Sequence, residues 1–453
     1  MQPVNQTVTA SPPTGPTGSR RRSRRLLFKL AITCLTLLLS EICGEVICRA
    51  RYGSPTALQE LRHDIAVASS LTQGTSDGVE LPVVIHPYQG VVTRPTSESD
   101  RAAAPPGQLV GTFGFRGIDS PILKRSDDQL IVAVVGGSVA RQFVDNATES
   151  LQNELATHPK YRDRTITILP LAVDGYKQPQ QLTMLAYLMT LGAEFDIVIN
   201  LDGLNEVALP AMDNVPMGVF SAFPRQWGTI VATAESVEVK RRIGYTTYLR
   251  LAARDSARFF DRWPLGHSRI GLVVWKILDD RRSLTLQQEQ HRLAELLGSK
   301  VEYAASGPPE TFADAEAAYA RSADIWFRAS FQLHGLCSAN DTLYFHFLQP
   351  NQYVDGSKPM GAEELARSVS DESPFCDPVR HAYPLLLQNG AELKQRGVRF
   401  TDLTQVFART GDPVYIDDCC HLNPDGTEIL AQEISRTILD ELRRLNSSDP
   451  QAE

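Results

Sequence analysis

The clearest periodic signal begins at residue 130. "LIVAVV" (Leu130 to Val135) is an unbroken apolar and largely β-branched run, the pattern of a strand covered on both faces. Phe143, Ala147, Leu151 and Leu155 follow at four-residue spacing, which lays one apolar stripe along a helix. The unit then repeats. "TITILPLAV" (Thr165 to Val173) predicts a second strand. Leu182, Leu185, Leu188 and Leu191 predict a second helix closed by Gly192, and "FDIVINL" (Phe195 to Leu201) predicts a third strand. Strands alternating with helices imply right-handed crossovers and a parallel sheet covered on both sides, an α/β fold.

The alternation lapses after the third strand. Residues 208–339 read as helical and contain all four tryptophans, Trp227, Trp263, Trp275 and Trp326; they are expected to form a helical insertion or cap. Packing between helices is the expected role of those indoles, and stacking on sugar rings the competing one. Strand character returns at "TLYFHFLQP" (Thr342 to Pro350) and "VRFTDLT" (Val398 to Thr404). Asn423-Pro424 then supplies an N-cap and first-turn pair for a last helix with Leu430, Ile434 and Ile438 on one face. The α/β domain is expected over 129–447, with 49–128 as a lead-in segment.

Charge changes the picture at the N-terminus. The chain has 453 residues and a net charge of −8. The first 29 residues carry six cationic side chains and no acid, so setting them aside leaves −14 on the remainder. A body that acidic repels phosphate backbones, and no nucleic-acid partner is expected. Residues 1–25 read as a disordered basic cytoplasmic tail. The apolar stretch 26–48 approaches the roughly 20 residues that span a bilayer and is expected to be an uncleaved signal anchor, with secretion after cleavage as the alternative. Either way the arginines stay cytoplasmic and the bulk of the chain is exported, to the periplasm or cell exterior.

Candidate chemistry sits just past the carboxyl ends of the strands, where open α/β sheets collect their ligands. "GGSVA" follows the first strand, with Ser138 entering a helix; "VDGYKQ" follows the second, with Gly175; "LDGLNE" follows the third, with Asn205; "DDCCH" precedes the last helix, with Asp418 and His421. One edge thus offers a hydroxyl, a bare amide, a carboxamide and an acid–imidazole pair. A serine hydroxyl needs a base, the base needs an acid to fix its tautomer, and the oxyanion needs preplaced donors. Ser138, His421 and Asp418 fill the first three roles, and the Ser138 N–H, the Gly175 N–H and the Asn205 amide fill the last.

These blocks make the chain resemble the SGNH hydrolase superfamily, the GDSL-type esterases. The matching residues are Ser138 in "VVGGSVA", Gly175 in "LAVDGYK", Asn205 in "GLNE", and Asp418 with His421 as "DxxH". "HPYQG" (His86 to Gly90), "FGFRG" (Phe113 to Gly117) and "FLQPN" (Phe347 to Asn351) are similar to a membrane-anchored, exported bacterial branch. Gly137 stands where the family often has Asp. The resemblance implies a flavodoxin-like three-layer sandwich, no metal or organic cofactor, and hydrolysis of an ester, often an O-acetyl group on a cell-envelope carbohydrate. An O-acyltransferase using the same residues and a catalytically silent glycan-binding module are the alternatives.

Each block alone has a plainer reading. "GGS" could be a tight turn or a phosphate-binding nest, though it lacks the Lys-Ser/Thr of a P-loop and the third glycine of a dinucleotide fingerprint. Gly175 and Asn205 suit turns, and Asp417 or Asp418 could merely orient the backbone before the last helix. Zinc cysteines normally come as CxxC pairs, and adjacent ones chelate poorly, so no metal is expected at "DDCCH". Cys337, Cys376, Cys419 and Cys420 are available for up to two disulfides, and a bridge from Cys419 or Cys420 to Cys376 or Cys337 is expected to staple the histidine loop.

Overall fold

The computed structural model describes residues 18–67, 83–101, 107–235, 237–299 and 303–447. Two compact units emerge, one drawn from Met1–Gln73 with Tyr245–Gln290 and the other from Gly74–Gly244 with His291–Glu453.

The first unit is helical. Its opening helix, Gly18–Tyr52, includes the arginines that the sequence assigned to a disordered tail. Arginine is a good helix former, so the helix extends back through the basic cluster; residues 1–17 of that tail lie outside the described residues. Phe28–Tyr52 is 25 residues long and contains an 18-residue stretch of mean hydropathy 1.9, long and apolar enough to cross a membrane. Further along the same helix, Glu41 accepts hydrogen bonds from Ser268 Oγ and the Arg269 amide, both at 2.5 Å. Cys48, Leu58, Ala66, Ala257, Leu272, Val273 and Trp275 close a small core.

The second unit is built on a five-stranded parallel sheet. Its strands are β1 (Gln129–Gly136), β2 (Thr165–Pro170), β3 (Ile197–Asp202), β4 (Leu343–Leu348) and β5 (Arg399–Asp402), in spatial order 2-1-3-4-5. That is the flavodoxin-like doubly wound order, with its switch point between β1 and β3. Leu130 to Val135 are all completely buried, which explains the unbroken apolar run. The connecting helices are α1 (Ser138–Leu155), α2 (Gln180–Thr190), α3 (Leu204–Leu209), α4 (Ala315–Ser338), α5 (Cys376–Gln395) and α6 (Pro424–Ser447). The β1→β2 crossover runs opposite in direction to the other three, so right-handedness sends α1 to one face and α2, α4 and α5 to the other. Accordingly α6 packs on α1, and α4 packs on α2 and α5. The result is a three-layer α/β/α sandwich.

Two parts of the sequence reading need redrawing. Residues 208–339 are largely helical but not one cap. Tyr245–Gln290 clusters with the N-terminal helices, and α4 is the β3→β4 crossover, with Tyr319, Ala323, Trp326 and Leu333 buried against the sheet. Trp326 and Trp275 are fully buried, whereas Trp263 is 84% exposed. The lead-in contains an antiparallel hairpin, Val83–His86 with Gly90–Thr93. Its strands are only four residues each, too short to show a period, and "HPYQG" is its turn.

Gly136 ends β1 with φ +143°, and a Cβ there would lie 2.1 Å from the Leu201 carbonyl oxygen on β3. Both conformation and space exclude a side chain. Gly136→Ala is expected to lower unfolding free energy by about 2 kcal/mol or more, read from the denaturant midpoint of the purified chain; an unchanged midpoint would refute this.

Candidate functional site

Ser138 is the first residue of α1, immediately past β1. The first N–H groups of any helix have no intrahelical acceptor, so the Ser138 amide is a donor at the positive end of the α1 dipole. Gly137 now has a physical reason. A Cβ at that position would lie 2.1 Å from the Asn205 Nδ2, so an aspartate there would evict the carboxamide. Asn205, in the first turn of α3 past β3, donates one amide hydrogen to the Tyr176 carbonyl at 2.8 Å; its second hydrogen is not used in that bond. Gly175 sits beside Tyr176 with φ +77°, a conformation that favours glycine.

Each loop is tied to its neighbours. Arg141 on α1 reaches Asp174 at 2.6 Å and Asp145 at 2.5 Å. The Tyr176 hydroxyl donates to the Val91 carbonyl of the hairpin at 2.5 Å, and Gln180 Nε2 donates to the Gln89 carbonyl at 3.1 Å. The hairpin thus braces the loop that carries Gly175.

The histidine loop is a closed turn between Tyr415 and Leu422, which form an antiparallel bridge. Within it Asp417 Oδ1 accepts three backbone hydrogen bonds, from Cys419 (3.0 Å), Cys420 (3.1 Å) and His421 (3.2 Å). This leaves Oδ2 against His421 Nδ1 at 2.5 Å. The other ring nitrogen, Nε2, lies 2.8 Å from Ser138 Oγ. Burial would raise the Asp417 carboxyl, but the hydrogen bonds and charge of His421 and the loop amides hold it below the ordinary carboxylate range.

The structure therefore brings Ser138 and His421 together, but the acid at the imidazole is Asp417, not Asp418. The wrapped turn decides this: only the residue at its start can gather the three following amides and still face the ring. Asp418 instead offers its backbone carbonyl to Ser373 Oγ at 3.3 Å.

The expected disulfide staple is also corrected. All seven cysteines are free thiols. Cys337 closes α4 at the amino end of β4, and the 419–420 pair lies at the carboxyl end of the sheet, about 20 Å away along a six-residue strand. Cys376 faces Asp371 at 3.9 Å. The Cys419 and Cys420 sulfurs are 3.3 Å apart and unbonded. Hydrogen bonds hold the loop instead. Asn351 Nδ2 donates to the Cys419 carbonyl and Gln352 Nε2 to the Asp417 carbonyl, both at 3.0 Å. Glu364, in a fully buried ion pair with Lys358 at 2.9 Å, accepts from the Val414 and Tyr415 amides. "FLQPN" was the only sequence signal for these supports.

A buried polar layer underlies the site. Asp202, at the end of β3, accepts from Trp326 Nε1 (2.7 Å) and Asn200 Nδ2 (2.8 Å) and meets His346 Nε2 at 2.8 Å. Burial would raise its carboxyl, yet His346 and these donors keep it low. Glu206 behaves oppositely: burial, then the Asp202 charge, push it up to about 8, against hydrogen bonds from Gly203, Gln178 and Gln181. Lys177 is buried with its Nζ on the Ser221 carbonyl at 2.5 Å, and burial drives it down to about 7.

Comparison with known proteins places the chain beside three solved structures, each at 10% identity. An acetyl xylan esterase, AlAXEase, aligns over 68% of this chain and 100% of its own with TM-score 0.32. A GDSL-like lipase from Bacteroides thetaiotaomicron aligns over 69% and 88% with TM-score 0.32. An acetyl-xylooligosaccharide esterase from Geobacillus stearmophilus aligns over 69% and 96% with TM-score 0.31. No family model and no curated protein matches the chain.

Glu206 generates a pH prediction. Its folded pKa of about 8 lies above the ordinary glutamate value of about 4.3. Between the two the folded chain holds a proton that the unfolded chain has released, so this group's contribution lowers stability as pH rises. Lys177, depressed to about 7, acts with the opposite sign only above that pH. From pH 5 to 7 the melting temperature should therefore fall more steeply in the parent than in Glu206→Gln; parallel curves would contradict the assignment.

Proposed function

We propose that the second unit is an SGNH-type serine ester hydrolase. The observation that carries this reading is the imidazole of His421 spanning Ser138 Oγ at 2.8 Å and Asp417 Oδ2 at 2.5 Å, at the switch point of a doubly wound sheet. His421 Nε2 takes the hydroxyl proton as Ser138 Oγ attacks the ester carbonyl carbon. Asp417 keeps the Nδ1 proton in place and stabilises the imidazolium. Negative charge gathers on the former carbonyl oxygen, to which the Ser138 amide, the Gly175 amide and the free Asn205 amide hydrogen are the donors. When the tetrahedral intermediate collapses, the alcohol leaves with the proton from Nε2. Water, deprotonated by the same nitrogen, then releases the acid from the acyl-enzyme.

The substrate class that fits is a small acyl ester, with an O-acetylated carbohydrate as the natural form. The Phe28–Tyr52 helix is the membrane anchor in this reading. The arginines before it set the cytoplasmic side, and the hydrolase unit works on the exported side.

Ser138→Ala is expected to cut kcat/KM on an aryl acetate by about 10³-fold or more, and the parent alone should be labelled by a fluorophosphonate. A parent left unlabelled would point to a glycan-binding module without turnover. Asp417→Asn should cost about 10²–10⁴-fold, because the tautomer reverses, while Asp418→Asn should stay within about twofold; the reverse order of damage would sink the Asp417 assignment.

A further inference from the structure

We propose that Cys419, Cys420 and a ring nitrogen of His421 form a binding site for a soft divalent cation of the Zn²⁺ or Cd²⁺ class, and that occupancy withdraws His421 from its other partners. The three donor atoms lie within 4.8 Å of one another. Adjacent cysteines normally aim their sulfurs apart, which is why the sequence argued against a metal. Here the tight turn that wraps Asp417 brings the sulfurs to 3.3 Å. An ion about 2.3 Å from each sulfur at a tetrahedral angle needs them about 3.8 Å apart, so the pair has to open by only about half an ångström.

The contact with Cys419, burial and the Asp417 charge disfavour a bare Cys420 thiolate, so the cation itself has to supply the charge that stabilises it. The buried hydroxyls of Tyr383 and Tyr415 stand near the Cys420 sulfur, and neither has a hydrogen-bond partner among the described residues. They are donors that a thiolate would satisfy and that would fix its orientation. Cys419 is partly exposed, and the His421 side chain is 24% exposed, so an ion can enter from that side.

Both nitrogens of His421 are already engaged, Nδ1 with Asp417 and Nε2 with Ser138. An ion on either one breaks a contact that the imidazole uses. Metal occupancy and the Ser138–His421–Asp417 arrangement therefore exclude each other. The inhibitory consequence rests on the proposed hydrolase reading; the binding site does not.

The test titrates the reduced full-length chain in detergent with CdCl₂ and follows the ultraviolet thiolate-to-cadmium charge-transfer band. A band saturating at one equivalent is expected, with affinity lowered at least about tenfold in the Cys419→Ser, Cys420→Ser double variant and in His421→Ala. No band, or unchanged affinity in the double variant, overturns the site; unchanged affinity in His421→Ala overturns the imidazole as ligand. Where circular dichroism shows the double variant unfolded, Cys419→Ser alone carries the same comparison. Cd²⁺ should also slow fluorophosphonate labelling of Ser138 in the parent, while each variant is judged against its own metal-free rate. Equal slowing in the double variant overturns the competition. Absence of labelling without metal instead defeats the hydrolase reading and leaves the band to judge the site.

Discussion

The candidate site depends on how one carboxylate divides its two oxygens. Asp417 Oδ1 gathers the amides of Cys419, Cys420 and His421, and Oδ2 meets the imidazole. The first set of bonds shapes the turn; the last aims the ring at Ser138. A side chain that both folds a loop and orients its histidine leaves little room for the ring to drift. It also keeps the carboxyl ionised, since four donors stabilise the charged form more than partial burial disfavours it.

Around that interaction the fold supplies position. The 2-1-3-4-5 strand order opens a crevice between β1 and β3, and the residues that end those strands, Gly136 and Asp202, fix what stands above it. Gly136 lets α1 begin at once, so Ser138 comes within reach of the crevice. Asp202 anchors a network that runs through His346 and Trp326 under the loops. Glu206 and Lys177 are held in this layer at a cost, visible as carboxyl and amine values displaced toward neutrality. Such a layer is tolerable because each of its charged groups is paired or hydrogen-bonded, although the Asn200, Gln178 and Gln181 carbonyl oxygens lack partners among the described residues.

Much of this was legible in the sequence because buried parallel strands leave an unmistakable composition. Leu130 to Val135 and Ile197 to Leu201 could be placed without coordinates, and the residues just past them followed. Asn423 capping α6, with its Oδ1 on the Gly426 amide at 2.8 Å, was equally plain. What stayed hidden was set by backbone path. The choice between Asp417 and Asp418 depends on a turn whose amides converge on one of them, and no spacing rule records that. Cysteine pairing failed for the same reason, because Cys337 and Cys420 are each buried yet lie at opposite ends of a strand. The hairpin escaped because its strands are only four residues each and sit among prolines and glycines, and the helical stretch after β3 gave no hint that part of it would join the N-terminal helices.

Ser138 and His421 are 283 residues apart in the chain, and the imidazole sits on the turn that leads into α6. A nascent polypeptide emerges amino end first. It therefore carries the Ser138 hydroxyl through the synthesis of 283 further residues before the imidazole that meets it exists. In the proposed hydrolase the alcohol stays dormant until α6 settles beside α1, so competence would come with the docking of that helix rather than accumulating along the way.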